Sequence, residues 1–268
     1  MSNLSDIGFG VYTEDEFDAL SEKVVALSEV IAVDGGSYAA YRDPSGAQMW
    51  YQFDHEDGFM GFNPHYAGQS RRTVRLTAVI ERPESELDWA YHAWALPEAG
   101  ATDEADSGLY PFVFDLPSAK LQALPELPTL ATIQLSAFAQ ELSYYASEAD
   151  FYHAQAVEQL LEEAGEESDA NTESAPVRVA ANSFIPIGLF LADEELDEDG
   201  VPALASFAGT VKAVEQKQNQ LTGDVFFWLL VDTLGGPIDV LADPEYFEEA
   251  PEVGGIVHGE FWLAGNLL

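Results

Sequence analysis

The chain has 268 residues, 47% of them hydrophobic and 12% aromatic, enough for one large core or two small ones and too apolar for a disordered polymer. Ten Lys and Arg face 48 Asp and Glu, a net charge of −38, which runs against direct binding to nucleic acid or to an anionic membrane surface. There is no cysteine, so disulfides, thiolate metal sites and a Cys nucleophile are excluded.

The opening residues, MSNLSDIGFG, lack the basic and apolar segments of a signal peptide, and no apolar run reaches transmembrane length. A cytoplasmic protein without a membrane anchor is expected. Ile7 to Tyr12 reads as a short strand. Thr13-Glu14-Asp15-Glu16 has the form of a capping box, and Phe17, Leu20, Val24, Leu27 and Ile31 fall on one helix face that Asp34-Gly35-Gly36 ends. Tyr38 to Tyr41, a turn at Asp43-Pro44-Ser45-Gly46, and Gln48 to Phe53 form a hairpin.

This strand–helix–strand–strand order, with YRDPSGAQMWYQ in the hairpin, resembles one module of the glyoxalase-type metalloenzymes. The resemblance implies a metal held by His or Glu on the strands and a lyase or oxygenase activity. Ile7 to Tyr12 carries neither residue, and the hairpin ends with Gln52 and no carboxylate.

Phe59 to Asn63, Thr73 to Glu81, Asp88 to Leu96, Leu109 to Phe114 and Leu130 to Leu142 have strand patterns, with an acidic, Gly-containing loop from Pro97 to Gly108. Ser147-Glu148-Ala149-Asp150 starts a second amphipathic helix, carrying Phe151, Ala154, Val157 and Leu161 and stopped by Gly165. Glu166 to Ala175 has no apolar residue larger than Ala. Residues 166–176 are therefore expected to link an α+β part, 1–165, to a β-rich part, 177–268.

The most strand-dense region is 205–268. Phe207 to Lys217, Asp224 to Thr233 and Ile238 to Leu241 are strands, Asp243-Pro244 opens a short helical piece, and Gly254-Gly255 leads into Ile256 to Ala264. In DVFFWLLVDT, Phe226, Trp228 and Leu230 alternate with Phe227, Leu229 and Val231, so both faces must be covered. Strand, strand, strand, short helix, strand resembles the OB-fold, a small Greek-key barrel. The barrel needs a fifth strand, expected from Val177 to Val179 or Phe184 to Leu191. Trp228, Phe226, Phe227, Phe261 and Trp262 read as core residues ahead of base-stacking platforms, because residues 205–268 hold two lysines against ten carboxylates, a net of −8.

No G-x-S-x-G, P-loop, G-x-G-x-x-G or HExxH motif occurs. Asp54, His55 and Glu56 group metal-ligand types at a hairpin turn. Glu195, Asp197 and Asp199 occupy positions one, three and five of a calcium-loop pattern with Gly200 at six, but Ser206 stands where the closing bidentate Glu belongs. Arg71, Arg72 and Arg75 are a basic cluster able to hold an anion, with salt bridges to the surrounding acids as the plainer use. The reading is an α+β protein of mostly antiparallel strands with two amphipathic helices and an OB-like C-terminal barrel. Its expected function is non-catalytic binding, with no cofactor and a basic protein as partner. The alternatives are a metal-dependent glyoxalase-like lyase or oxygenase, and an acidic inhibitor or nucleic-acid mimic.

Overall fold

Thr13 begins the first helix as expected. Its hydroxyl accepts from the Glu16 amide at 3.3 Å, and the Glu16 carboxylate accepts from the Thr13 amide at 3.2 Å. The computed structural model, which describes residues 4–56, 58–82, 85–96, 108–122, 125–165, 178–191 and 200–268, gives this helix, α1, the span Glu14–Leu27. It does not continue to Ile31. Ser28 turns extended and its hydroxyl donates to the Val24 carbonyl at 2.7 Å, and the β-branched Val30, Ile31 and Val33 form strand β1 (Glu29–Val33) instead. Ile7 to Tyr12 is likewise no strand. Ser5–Ile7 form one 3-10 turn, and Leu4, Ile7 and Phe9 are buried against Phe226 and Trp228.

β1 starts an antiparallel four-stranded sheet with β2 (Gly36–Arg42), β3 (Ala47–Phe53) and β4 (Phe59–Tyr66), in that spatial order. Its two faces bury different partners. Ala39, Met49 and Tyr51 share a cluster with Val24 of α1, and Tyr38, Ala40 and Trp50 pack with Leu87.

The second sheet has nine strands: β5 (Arg72–Arg82), β6 (Ser85–Ala95), β7 (Tyr110–Leu116), β8 (Thr129–Tyr145), β9 (Ser183–Ile185), β10 (Leu204–Gln218), β11 (Val225–Thr233), β12 (Gly236–Ala242) and β13 (Ile256–Leu267). Strands on both sides of residues 166–176 share it, so hydrogen-bonded pairing joins the two expected parts. The second helix, α2 (Glu148–Gly165), follows β8 and buries Phe151. With strands predominating and only these two α-helices among the described residues, the fold is α+β with mostly antiparallel sheets.

Within the larger sheet five strands close on themselves: β10 pairs with β11, β11 with β12, β12 with β8, β8 with β13, and β13 with β10. The fifth strand is β8. Residues 183–185 pair only with β10, as an outer strand, while Val179 lies outside any strand. The length of β8 makes this possible. Its first residues pair with β5, and later ones pair with β12 on one side and β13 on the other. β11 is covered on both faces as its sequence requires. Phe226 and Trp228 enter one core cluster, and Phe227, Leu229 and Val231 enter the other.

Candidate functional site

Two groups of buried polar side chains stand out, one closed and one open. The closed group surrounds Asp239 on β12, whose side chain is fully buried. One carboxylate oxygen accepts from the Trp228 indole N–H and the Gln69 amide, each at 2.8 Å, and the other from the Ser70 amide and Gln134 Nε2, each at 2.9 Å. Gly68 makes this approach possible, because a Cβ there would lie 2.0 Å from the carboxylate. Nearby, His65 is buried with its Nε2 2.6 Å from Asn266 Nδ2. Burial drives the His65 pKa down to about 4 against the opposing pull of the Asp239 carboxylate, so the ring is neutral at pH 7. Asp6 is also buried and accepts from the Asp243 amide at 2.9 Å; burial raises its pKa well above the ordinary carboxyl value. With four neutral donors on Asp239, drawn from the segment after β4 and from β8 and β11, this cluster holds the small sheet to the ring.

The open group lines a cleft of about 510 Å³ between the small sheet and the strands of the large one. In the β3–β4 register, Gln52 pairs with Gly61 and Trp50 with Asn63, which puts Gln52, Gly61 and Asn63 on one face, looking into the cleft. Opposite stand Arg82 at the end of β5, Ser85 and Asp88 on β6, Asp115 on β7 and Trp262 on β13.

Their bonding is specific. Arg82 donates to Asp115 Oδ1 at 2.5 Å and to the Val201 carbonyl at 2.8 Å, and the Trp262 indole N–H donates to the other Asp115 oxygen. The Ser85 hydroxyl donates to Gln52 Oε1 and accepts from the Leu87 amide at 3.1 Å. That leaves the Gln52 amide nitrogen, on a side chain only 1% exposed, with no partner among the described residues, and the buried Asn63 amide nitrogen has none among them either. A second cavity, of about 590 Å³, shares Arg82 and Ser85 and is bounded by Trp89 and Lys120, whose ammonium lies 4.5 Å from the Trp89 ring centre.

Of the metal- and anion-site residues singled out from the sequence, those that are described do not line this cleft. Asp54 accepts from the amides of Glu56 and Gly58 at 2.8 Å each, an Asx turn, while His55 and Glu56 are exposed. Glu195, Asp197 and Asp199 lie outside the described residues. Arg71 and Arg72 share no partner. Arg71 donates to the carbonyls of Ser70 and Gly68. Arg72 is buried between Phe112 and Phe184 and donates to the Gly235 carbonyl at 3.1 Å and the Tyr110 hydroxyl at 2.8 Å. Arg75 is buried as well. Arg71 and Arg72 donate to carbonyls and a hydroxyl, where acids were expected, because backbone acceptors need donors as much as carboxylates do. Among the described residues, no three of His, Asp and Glu are grouped as a metal centre requires.

Ser85 and Asp115 were not singled out from the sequence, and Gln52 was noted only as the last polar residue of its hairpin. Gln52 on the face of Trp50, and Asp115 within the apolar YPFVFDL, are polar residues at inward-facing strand positions, and that mismatch is the local signal available. Comparison with protein-family models, curated proteins and solved structures gives no match to this chain. Among the described residues no helix is long and apolar enough to cross a membrane.

Proposed function

We propose that the protein is a non-catalytic binding protein whose ligand enters the cleft between β4 and residues 200–204. The observation that carries this reading is the pair of amide groups on Gln52 and Asn63 at the cleft, whose N–H donors have no acceptor among the described residues. Buried donors are normally paired, and a bound molecule would pair these. The neighbouring groups favour binding over chemistry. Ser85 has no histidine beside it and gives its proton to Gln52, and Arg82, Asp115 and Trp262 are bonded to one another. A thermal-shift screen of wild type and Gly61→Leu against a small-molecule set tests the proposal. Ligands that stabilise wild type and not the variant support it, and a set in which both respond alike defeats it.

The acidic surface supports a second role, recognition of a basic protein partner. Its support is the imbalance of ten Lys and Arg against 48 carboxyl side chains, which attracts a cationic partner at long range. We further read the five-strand ring as an OB-like barrel with its fifth strand taken from earlier in the chain, on the strength of its strand order. A cytoplasmic setting fits the lack of cysteine.

A further inference from the structure

We infer that the cleft takes an uncharged, polyhydroxylated ring, a sugar or cyclic polyol, an inference that rests on the cleft being the binding site. Three features narrow the ligand. The first is the free donors, Gln52 Nε2 and Asn63 Nδ2. Gln52 pairs directly with Gly61, and Asn63 lies two residues further along β4, so the two side chains are diagonal neighbours with backbones roughly 7–8 Å apart. A ligand carrying several acceptors around its edge suits such a pair of donors.

The second feature is charge. One guanidinium, Arg82, and two carboxyl side chains, Asp88 and Asp115, line the cleft, and Arg82 is already bonded to Asp115. An anionic ligand meets a surplus of carboxylate at a site whose cation is taken. A hydroxyl suits both kinds of lining group, because it accepts from an amide N–H and donates to a carboxylate.

The third feature is shape. A Cβ built on Gly61 meets nothing within 4 Å, so the floor between Gln52 and Asn63 is open. Met60, Leu204 and the half-buried Trp262 supply apolar wall for the C–H faces of a ring. The volume of about 510 Å³ lies in the range of small-molecule pockets.

The test is saturation-transfer NMR on the full chain with two panels. One contains glucose, galactose, mannose, xylose, myo-inositol, maltose, lactose and sucrose. The other contains glucuronate, gluconate, acetamide and glycylglycine. Gly61→Leu fills the floor at a position whose φ lies outside the left-handed region, and Asn63→Asp replaces a donor by an acceptor of nearly the same shape. The expected result is saturable binding of at least one neutral sugar or polyol that shifts the Trp262 indole N–H resonance. That binding should disappear in Gly61→Leu and weaken at least tenfold in Asn63→Asp. Binding confined to the second panel, and abolished by Gly61→Leu, overturns the ligand class and leaves the cleft as a binding site. A cleft that binds neither panel, or binding that both variants retain, overturns this inference; if the wider thermal-shift screen also yields no ligand sensitive to Gly61→Leu, the reading of the cleft fails with it.

Discussion

Trp228 donates its indole N–H to Asp239 at 2.8 Å, across the neighbouring strands β11 and β12, with both side chains buried. The register pairs Trp228 with Leu241 and Leu230 with Asp239, so the two are diagonal neighbours on one face. Trp228→Phe keeps most of the apolar bulk and removes one of the four donors to the carboxylate. It should cost about 1–3 kcal/mol, and Trp228→Ala about 3–5 kcal/mol. Urea denaturation of both variants checks the order, and a Trp228→Phe cost near zero would mean the indole N–H contributes nothing.

Gly68 is a sharper probe of the same cage. Its Cβ would sit 2.0 Å from Asp239 Oδ2, with the amides of Gln69 and Ser70 fixed on that carboxylate. Gly68→Ala should therefore destabilise the fold well beyond the roughly 0.5 kcal/mol of an ordinary surface substitution, although it removes no contact. A melting temperature within a degree of wild type would show that the turn gives way freely.

Acid should weaken the fold through His65. The unfolded chain takes up a proton at this residue below about pH 6.5, whereas the folded ring resists until about pH 4. Between those values the unfolded state binds more protons, so stability falls as pH falls, by roughly 3 kcal/mol across the window. Asp6 acts in the opposite sense, since its raised pKa means the folded state holds a proton that the unfolded state has released. His65→Phe should flatten the loss between pH 6.5 and 4, measured as the slope of unfolding free energy on pH. A slope equal to that of wild type would remove His65 from the account.

A net charge of −38 implies self-repulsion that salt should relieve. The screening length drops from about 30 Å at 0.01 M to about 3 Å at 1 M, so the melting temperature should climb with KCl over that range. The proposed basic partner should be captured at low salt and released as salt rises. Capture of the same proteins by an unrelated chain of equal charge would leave the acidity without a partner to explain.

Local pattern carried much of this fold. The alternation in DVFFWLLVDT announced that both faces of β11 are covered, and the capping box at Thr13 placed the start of α1. What could not be read was pairing between distant segments. Asp239 alternates with Ile238 and Val240 as expected, yet nothing nearby in the sequence says that its face is dry. Its donors Gln69, Ser70 and Gln134 lie 170, 169 and 105 residues away in the chain, and none is marked by a motif. The fifth strand of the ring was sought next to the other four for the same reason. Gln52 and Asn63 belong to a hairpin whose strands were recognised, but their role depends on Arg82, Asp115 and Trp262 facing them across the cleft.

The closed ring also bears on the order in which the molecule can assemble. β13 is the last strand in the sequence, and it bridges β8 to β10 while supplying Asn266 to His65 and Trp262 to Asp115. A nascent chain emerging from the ribosome cannot complete this ring until residues 256–267 are released, even though β8 emerged more than a hundred residues earlier. Until then β8 and β10 present unpaired edges, a state open to strand exchange with a neighbouring chain. Closure over so long a loop also places the molecule among slow folders, since the strands of the ring must wait for their last partner.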